Sequence, residues 1–484
     1  MKSPVHEHSG CCLCRRDFLQ TMATAAGTAA LLSSGAVTLT PAGEASRPVR
    51  SPALVRGAFL YPPSRTLREE GYYSWPGSSF DAEGHQKQYA AEIQAIEKRL
   101  GMRIQMDAEP LDSPDSVARF IGEVKQTKPN GLLLIPFKKG HWEHVLRIID
   151  QTQIPSVVMA TLGVLLIDHI NNLHRKPGVY LISAMDDLGA VEQGMRMIRT
   201  AHRMRQSLLL NLTNAKPGEV EVPLLGTRVR TVALERFYDL FKSTETTDAV
   251  RQLAAAYLQG AKERVEPTEA DVLEAARASF ALKAIIKAEG ADAIMMNCLP
   301  GLRKPHKHVP PCMGFMTLRD EGIPAGCQSD LNATLTMMLV QELFGLPGFQ
   351  QNSAAETEAN HYFGAHCTSP SKMNGPGAPP EPMILRSHAE AGWGCVPQVL
   401  FPKGQEVTMA LYQSGKAPRM LIYSGNVVRC YPKAAGGCRT NIEMTINEVE
   451  DTCQTQGMHQ AIFYGNHARA LRTFCQLHRI EAVS

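Results

Sequence analysis

Short apolar runs alternate with segments of helical periodicity along the first part of the chain. Val55–Leu60 is mainly apolar and Gly131–Phe137 is a continuous apolar run, both of the length expected for buried strands. Between them, Glu83–Leu100 places apolar residues every three or four positions and stops at Gly101, as an amphipathic helix does. Strands that alternate with helices predict a parallel sheet with helices on both faces.

The same alternation resumes after Gly178. Val179–Ala184 is predicted to be a strand and Asp187–Arg205 a long helix, and Ala291–Leu299 has the composition of a buried strand. Asp330–Phe344 carries Leu, Met and Val on one face, which predicts a further helix. A second α/β unit is therefore expected.

The pattern changes after Cys367. Ser369–Pro382 is crowded with Pro and Gly, which predicts a loop or a linker between domains. Short alternating segments follow, and they are typical of antiparallel strands. We therefore predict an α/β protein with two Rossmann-like parallel-sheet domains and a C-terminal antiparallel β domain. The predicted divisions are 1–46, 47–177, 178–368 and 369–484.

The first 46 residues resemble an export signal. Arg15-Arg16 precedes two bulky apolar residues, and Thr21–Leu39 carries no charge. This order predicts a twin-arginine signal peptide and a periplasmic or otherwise extracytoplasmic protein. A membrane anchor is the alternative, but the weak hydrophobicity of the segment favours a signal, so no stable membrane span is expected after its removal.

Composition excludes several classes of protein. The 484 residues carry a formal net charge of +3, and aromatic residues make up 6% of them. This near-neutral balance provides no field for binding nucleic acid, and stacking platforms for single strands are not expected.

Three of the twelve cysteines, Cys11, Cys12 and Cys14, lie in the predicted signal. The other nine fall between Cys298 and Cys475, and an odd number cannot pair completely within one chain. They are predicted to be buried apolar residues or halves of disulfides. No pair among these nine has the CxxC spacing, so a zinc knuckle is not predicted.

Three positions have side chains suited to metal chemistry. Asp330 stands at the predicted start of a helix, His366 precedes the predicted linker, and His459 leads a short apolar strand. Each also has a simpler interpretation, because an Asp there can be only an N-cap and a lone His is often structural. Together, one carboxylate and two imidazoles suit a divalent cation with open coordination positions.

The C-terminal third resembles the L-fucose/L-arabinose isomerase superfamily, particularly its exported sugar-isomerase-like members. Short motifs carry the resemblance, and they are Cys327–Asp330, His366-Cys367, Leu385-Arg-Ser-His388, Gly404–Thr408, Gly437–Thr440 and His459 to Gly465. The resemblance covers most of the chain from Cys298 to Val483. The first two thirds agree with the family in layout only.

The resemblance implies a site and an activity. In fucose isomerase a Cys-Glu-Asn-Asp stretch supplies a manganese ligand, so Asp330 is expected to bind Mn²⁺ or Mg²⁺, with His459 and His366 as further ligands. Gln328 stands at the Glu position of that stretch and cannot ionise. The family's second acid has no matching motif here, and Glu321 is the acid assigned to proton transfer beside Asp330.

The resemblance further implies isomerisation of an aldose to a ketose through an ene-diol, stabilised by the cation. Arg386 and His388 are expected to bind the sugar, and the family tends to form trimers or hexamers. An exported sugar-binding protein and a catalytically degenerate isomerase fold remain the alternatives. All isomerase interpretations require Asp330 and His459 to lie close together.

Overall fold

The structure is a computed structural model, and it describes residues 50–484 except 70–76, 78, 163, 165–166, 304–305 and 433–436. The predicted signal peptide, with its three cysteines, lies outside the described residues. The described part is an α/β structure with one parallel sheet and further sheets, of which the C-terminal one is mainly antiparallel.

The first sheet contains five parallel strands in the order β2-β1-β3-β4-β5. Its central strand β3 is buried at all six residues, which explains why the sequence there is uninterrupted apolar. The strands are β1 Leu54–Leu60, β2 Arg103–Met106, β3 Gly131–Pro136, β4 Ser156–Thr161 and β5 Val179–Ala184.

Local capping chemistry sets the ends of the helices that follow these strands. Asp81 accepts a hydrogen bond from the Gly84 N–H at the start of α2, and Gly101 ends that helix in the left-handed conformation. The helices are α1 Ser64–Glu69, α2 Ala82–Leu100, α3 Pro114–Thr127, α4 Trp142–Thr152, α5 Ile167–Ile170 and α6 Gly189–Arg205.

The second sheet has the order β11-β10-β6-β8-β7, in which only β7 is antiparallel to its neighbour. Its strands are β6 Leu208–Leu212, β7 Gly218–Glu221, β8 Arg228–Val232, β10 Ala293–Met296 and β11 Ala325–Cys327. The helices in this part of the chain are α7 Glu235–Ser243, α8 Asp248–Gly260, α9 Glu269–Glu289, α10 Leu299–Leu302, α11 Cys312–Asp320 and α12 Leu331–Phe344.

The third sheet closes on itself. Its order is β16-β19-β12-β13-β18-β17-β20, and β16 also pairs with β17. All its pairings are antiparallel except that of β20 with β17. The strands are β12 Phe349–Glu356, β13 His361–His366, β16 Glu406–Gln413, β17 Arg419–Arg429, β18 Thr440–Met444, β19 Gln460–Tyr464 and β20 Glu481–Val483, and helix α13 is Ala468–Leu477.

A small sheet joins two distant parts of the chain. Strand β9 (Ala261–Arg264) pairs in parallel with β14 (Met383–Arg386), which pairs in turn with β15 (Val396–Val399) in the antiparallel sense. The sequence predicts a helix through Ala249–Arg264, but the helix ends at Gly260. Over residues 261–264, pairing with β14 replaces the backbone hydrogen bonds of a helix.

The strand pairings cross the predicted divisions of the chain. Strand β5 follows residue 178 but pairs with β4 over six residues, so it belongs to the first sheet. Strands β12 and β13 precede residue 369 but belong to the third sheet. Within the described residues, no helix combines the length and apolar character needed to cross a membrane.

The Pro- and Gly-rich segment 369–382 is packed into the protein at its start. Ser369 is fully buried, and the carboxylate of Asp320 accepts hydrogen bonds from the backbone N–H groups of Ser371 and Lys372 at 2.7 and 2.9 Å. Burial raises the pKa of Asp320 above its usual value, although these bonds oppose the shift. Asp320 thereby anchors the loop, which begins as part of the core.

Candidate metal centre

The central feature of the site is a direct contact between Asp330 and His459. Asp330 follows β11 and caps α12, and its Oδ1 accepts a hydrogen bond of 2.8 Å from the Ala333 N–H. Its other carboxylate oxygen, Oδ2, lies 2.8 Å from Nδ1 of His459, the residue immediately before β19. The helix cap therefore orients the carboxylate that meets the imidazole.

Strand β12 supplies the second partner of the imidazole. Nε2 of His459 lies 2.8 Å from Oδ1 of Asn352. The ring of His366, at the end of β13, lies with its centroid 5.6 Å from that of His459. Strands β12 and β13 are antiparallel neighbours, and β12 also pairs with β19, so the closed sheet brings Asn352, His366 and His459 together.

The backbone on both sides of this contact is in the left-handed region. Gln328 and Ser329 have φ angles of 56° and 52°, and His459 has 60°. Residues with a Cβ adopt this conformation at a cost of about 1 kcal/mol or more, and such strain clusters at functional sites. Asp330 and His459 are thus aligned by backbone conformations that the surrounding fold must impose.

The donor chemistry fits a divalent cation in part. A carboxylate oxygen and an imidazole nitrogen form a hard-to-borderline set. However, none of the groups of three or more His, Cys, Asp or Glu side chains that lie within ligand reach in the described residues contains Asp330. Asp330 and His459 are the two predicted ligands in direct contact. Asn352 lies against the opposite nitrogen of the ring, where it orients the imidazole, and the sequence did not reveal it.

His366 faces a different set of side chains. Its Nδ1 lies 3.5 Å from Sγ of Cys367, and its Nε2 is buried without a hydrogen-bond partner among the described residues. Ligand atoms of Cys327, His366 and Cys367 lie within 4.8 Å of one another. The imidazole is thus placed among thiols as well as beside His459.

Glu321 lies away from this contact. Its carboxylate forms an ion pair of 2.6 Å with Nζ of Lys283, and both side chains are partly exposed. It precedes the first residue of β11, whereas Asp330 follows the last. Strand β11 therefore separates Glu321 from Asp330, although the sequence-based prediction placed the two acids in one site.

Arg386 is held by an acid on another element. Its guanidinium donates to both carboxylate oxygens of Glu266, with the shortest bond at 2.7 Å, and to Oε1 of Gln398 at 3.0 Å. The hydrogen bonds from Arg386 lower the pKa of Glu266 to about 2, although burial opposes the shift. Arg386 is therefore occupied by protein groups.

His388 is buried next to cysteines. It is 2% exposed, and its ligand nitrogen lies within 4.8 Å of the thiol sulfurs of Cys312 and Cys367. Burial lowers the pKa of His388, and its Nε2 has no hydrogen-bond partner among the described residues. The residue thus lies in a dry environment instead of at an open sugar-binding surface.

A third group of possible ligands combines Glu356, His361 and Glu443 on β12, β13 and β18. Glu443 is fully buried and contacts His361 at 2.6 Å and Arg429 at 2.8 Å. Burial alone would raise its pKa, but hydrogen bonds from Arg429, Tyr431 and His361 lower it to about 2. Arg429 already neutralises this carboxylate, so the group is a charge network within the sheet.

The sequence did not predict that several of these residues lie together. Asn352 lies in a strand without clear hydrophobic alternation, and Cys312, Cys327, Cys367 and His388 share no short spacing. Only the fold brings them together. A comparison of the chain with protein-family models finds no match, and a comparison with the curated proteins finds none either.

Proposed function

We propose that the chain is a sugar-isomerase-like protein that binds a divalent cation, Mn²⁺ or Mg²⁺, at Asp330 and His459 and interconverts an aldose and a ketose. The contact of 2.8 Å between these two side chains supports the proposal most directly. The resemblance to fucose isomerases requires this contact, although 129 residues separate its members.

The cation would be held by Asp330 and His459, while the amide oxygen of Asn352 orients the imidazole from its other nitrogen. When bound, it supplies Lewis-acid stabilisation of negative charge on the sugar oxygens. His459 and the helix cap hold the Asp330 carboxylate in one orientation. Because Glu321 is elsewhere, the carboxylate of Asp330 is the group proposed to hold the proton that moves between C1 and C2 of the sugar.

The proposal extends to architecture and location. The parallel order β2-β1-β3-β4-β5 is one of the common doubly wound orders, which supports a Rossmann-like first unit. The second sheet, with four parallel strands, supports a second such unit. Twin-arginine export to the periplasm and assembly into a trimer or hexamer belong to the same proposal, and they rest on the sequence alone.

A sugar-binding protein without catalysis is the second candidate. Two observations favour it. Gln328 cannot ionise, and the carboxylate of Glu321 is paired with Lys283 instead of reaching Asp330. An isomerase fold that has lost its base would keep the cation and the sugar but would not move the proton.

The test combines metal content with turnover. The full chain is dialysed against Mn²⁺ and analysed by inductively coupled plasma mass spectrometry, as are the variants Asp330→Asn and His459→Gln. We expect stoichiometric manganese in the unmodified protein and its loss in both variants. Asp81→Asn is the matched control, because Asp81 also caps a helix but lies outside the site.

Ketose formation from a panel of aldoses, with and without Mn²⁺, separates the two candidates. Manganese-dependent ketose formation supports the isomerase. Manganese binding without ketose formation from any aldose supports the sugar-binding protein. A folded chain that binds no manganese, or one in which Asp330→Asn leaves the bound manganese unchanged, contradicts the proposed centre.

A further inference from the structure

Buried thiols and imidazoles converge behind the Asp330–His459 contact. Cys312 begins α11, Cys327 ends β11, and Cys367 directly follows β13. All three are at most 4% exposed. Cys367 is common to two groups in which the ligand atoms lie within 4.8 Å of one another. These groups are Cys312, Cys367 and His388, and Cys327, His366 and Cys367.

Both imidazoles of this cluster have an unpaired buried nitrogen. His366 and His388 are 0% and 2% exposed, and Nε2 of each has no hydrogen-bond partner among the described residues. A buried polar atom without a partner is unfavourable by about 1–3 kcal/mol. Two such atoms beside three thiols indicate a ligand for which the nitrogens and sulfurs would act as donors.

A buried positive charge lies beside the cluster. Arg319 is 1% exposed, and its guanidinium donates to the backbone carbonyl oxygens of Ala325 and Thr368, while no carboxylate of the described residues lies within ion-pair distance. A buried guanidinium requires a counter-charge, and thiolates can provide it.

We propose that Cys312, Cys327 and Cys367, together with His366 or His388, form a site for a thiolate-preferring divalent cation, for which Zn²⁺ is the biological choice. Three sulfurs and one imidazole nitrogen complete the four-coordinate tetrahedral set of structural zinc sites. Three thiolates, a dication and the Arg319 guanidinium have no net charge, which removes the penalty of an isolated buried ion. Cys367 lies within 4.8 Å of the ligand atoms of both groups, whereas Cys312 and Cys327 share no group, so side-chain rotations of these two would bring their sulfurs to the zinc.

The ligands of this site come from separate elements of the fold. Cys312 and Cys327 belong to the part that contains the second sheet, whereas His366 and Cys367 belong to the closed sheet. Cys327 also starts the segment that ends at Asp330, and the ring of His366 meets that of His459 edge to face. The cation would therefore hold the strained Cys327–Asp330 segment against the closed sheet, and it would do so whether or not the chain is an isomerase.

The test measures metal and thiolate ligation in the full chain. Purified protein is analysed for zinc, and Co²⁺ is substituted for it to detect the thiolate-to-cobalt charge-transfer band and the intense visible bands of a tetrahedral site. We expect stoichiometric zinc and both spectroscopic features in the unmodified chain. Cys367→Ser is expected to abolish them. Cys475→Ser is the matched control, because Cys475 is also fully buried but belongs to none of the ligand groups.

A measurement on the unmodified chain tests the site even if the variants fail to fold. A mercurial reagent that blocks thiols is titrated into the zinc-loaded protein, and released zinc is followed with a coloured chelator. Release in proportion to blocked thiols supports the site. Folded, reduced protein that takes up neither zinc nor cobalt overturns it, as does a disulfide through Cys367 in the exported protein. Asp330→Asn is expected to keep the zinc, so failure of this site and failure of the manganese centre are distinguishable.

Discussion

His459 Nδ1 lies 2.8 Å from Oδ2 of Asp330, while the other oxygen of the same carboxylate caps helix α12. One side chain therefore stabilises the helix and orients the imidazole. The two roles have different chemical requirements, because an amide can cap a helix but cannot supply the negative charge. Substitutions at Asp330 can separate them.

Asp330→Ala is expected to destabilise the protein by about 1 kcal/mol more than Asp330→Asn does, because Asn retains N-cap hydrogen bonding and Ala does not. The free energy of unfolding in urea measures the difference. Both variants are expected to lose manganese, since neither retains the carboxylate. Equal stability of the two variants would show that the cap contributes nothing.

The ion pair between Arg386 and Glu266 predicts how substitutions at these two positions combine in their effect on stability. Arg386→Gln and Glu266→Gln are expected to be less than additive, with a coupling free energy of about 1 kcal/mol, because each removes the same bidentate pair. The double-mutant cycle is measured by denaturant unfolding.

Because Arg386 is paired with Glu266, Arg386→Gln is expected to leave sugar affinity unchanged. The affinity is measured at a temperature low enough for the variant to be fully folded. A large loss of sugar affinity in Arg386→Gln, with none in Glu266→Gln, would return Arg386 to the binding role that the resemblance implied. Isothermal titration with the sugars of the panel provides this comparison.

The sequence predicted the first two thirds of the fold more accurately than it predicted the site. Strand β3 and helix α2 were predicted nearly to the residue, because an unbroken apolar run and a capped amphipathic segment are local signals. Strand β12 was missed, since its last five residues face partly outward and show no alternation. Its identity is set by pairing with β13 and β19, which is tertiary context.

The sequence likewise predicted some residues of the site and not others. Asp330 and His459 were predicted as ligands because each lies in a short motif that resembles one of the fucose isomerase superfamily. The cluster around Cys367 was not predicted, because its three cysteines are separated by 15 and 40 residues, and the sequence argument expected zinc only from closely spaced cysteines. Arg386 and His388 lie near motif positions, but their partners Glu266 and Cys312 could be identified only from the fold.

Glu443 predicts how stability depends on pH. Its pKa in the folded protein is lowered from 4.5 to about 2, so its contribution is complete above pH 4.5 and is lost as pH falls toward 2. Glu443→Gln is expected to lower the free energy of unfolding by about 2 kcal/mol at neutral pH, because the charged acceptor for Arg429 and His361 is removed.

The difference between the unmodified chain and Glu443→Gln should shrink as the pH is lowered through this range. Denaturant unfolding at several pH values measures it. Glu358→Gln is a suitable control, since Glu358 is an exposed acid on the turn beside β13. A difference that stays constant down to the lowest pH would mean that the ion pairs of Glu443 do not hold its carboxylate charged.

Gln350 holds the start of the Asp330 segment. Its side chain is fully buried, and its amide accepts from the Cys327 N–H at 2.8 Å and donates to the Cys327 carbonyl at 3.2 Å. Gln350→Leu removes both bonds with little change in size. It leaves the buried Cys327 N–H unpaired, while the Cys327 carbonyl keeps its bond from the Asp330 N–H. We expect a loss of about 2 kcal/mol in the free energy of unfolding.

The same variant is expected to weaken metal binding, because Cys327 and the left-handed residues Gln328 and Ser329 lose their anchor. Gln351→Leu is the matched control: Gln351 is equally buried, but it bonds to Tyr362 and not to Cys327. If both substitutions reduce stability alike and neither alters the manganese or zinc content, Gln350 is a packing residue only. Loss of metal in Gln350→Leu alone would show that the alignment of Asp330 depends on the bonds between Gln350 and Cys327.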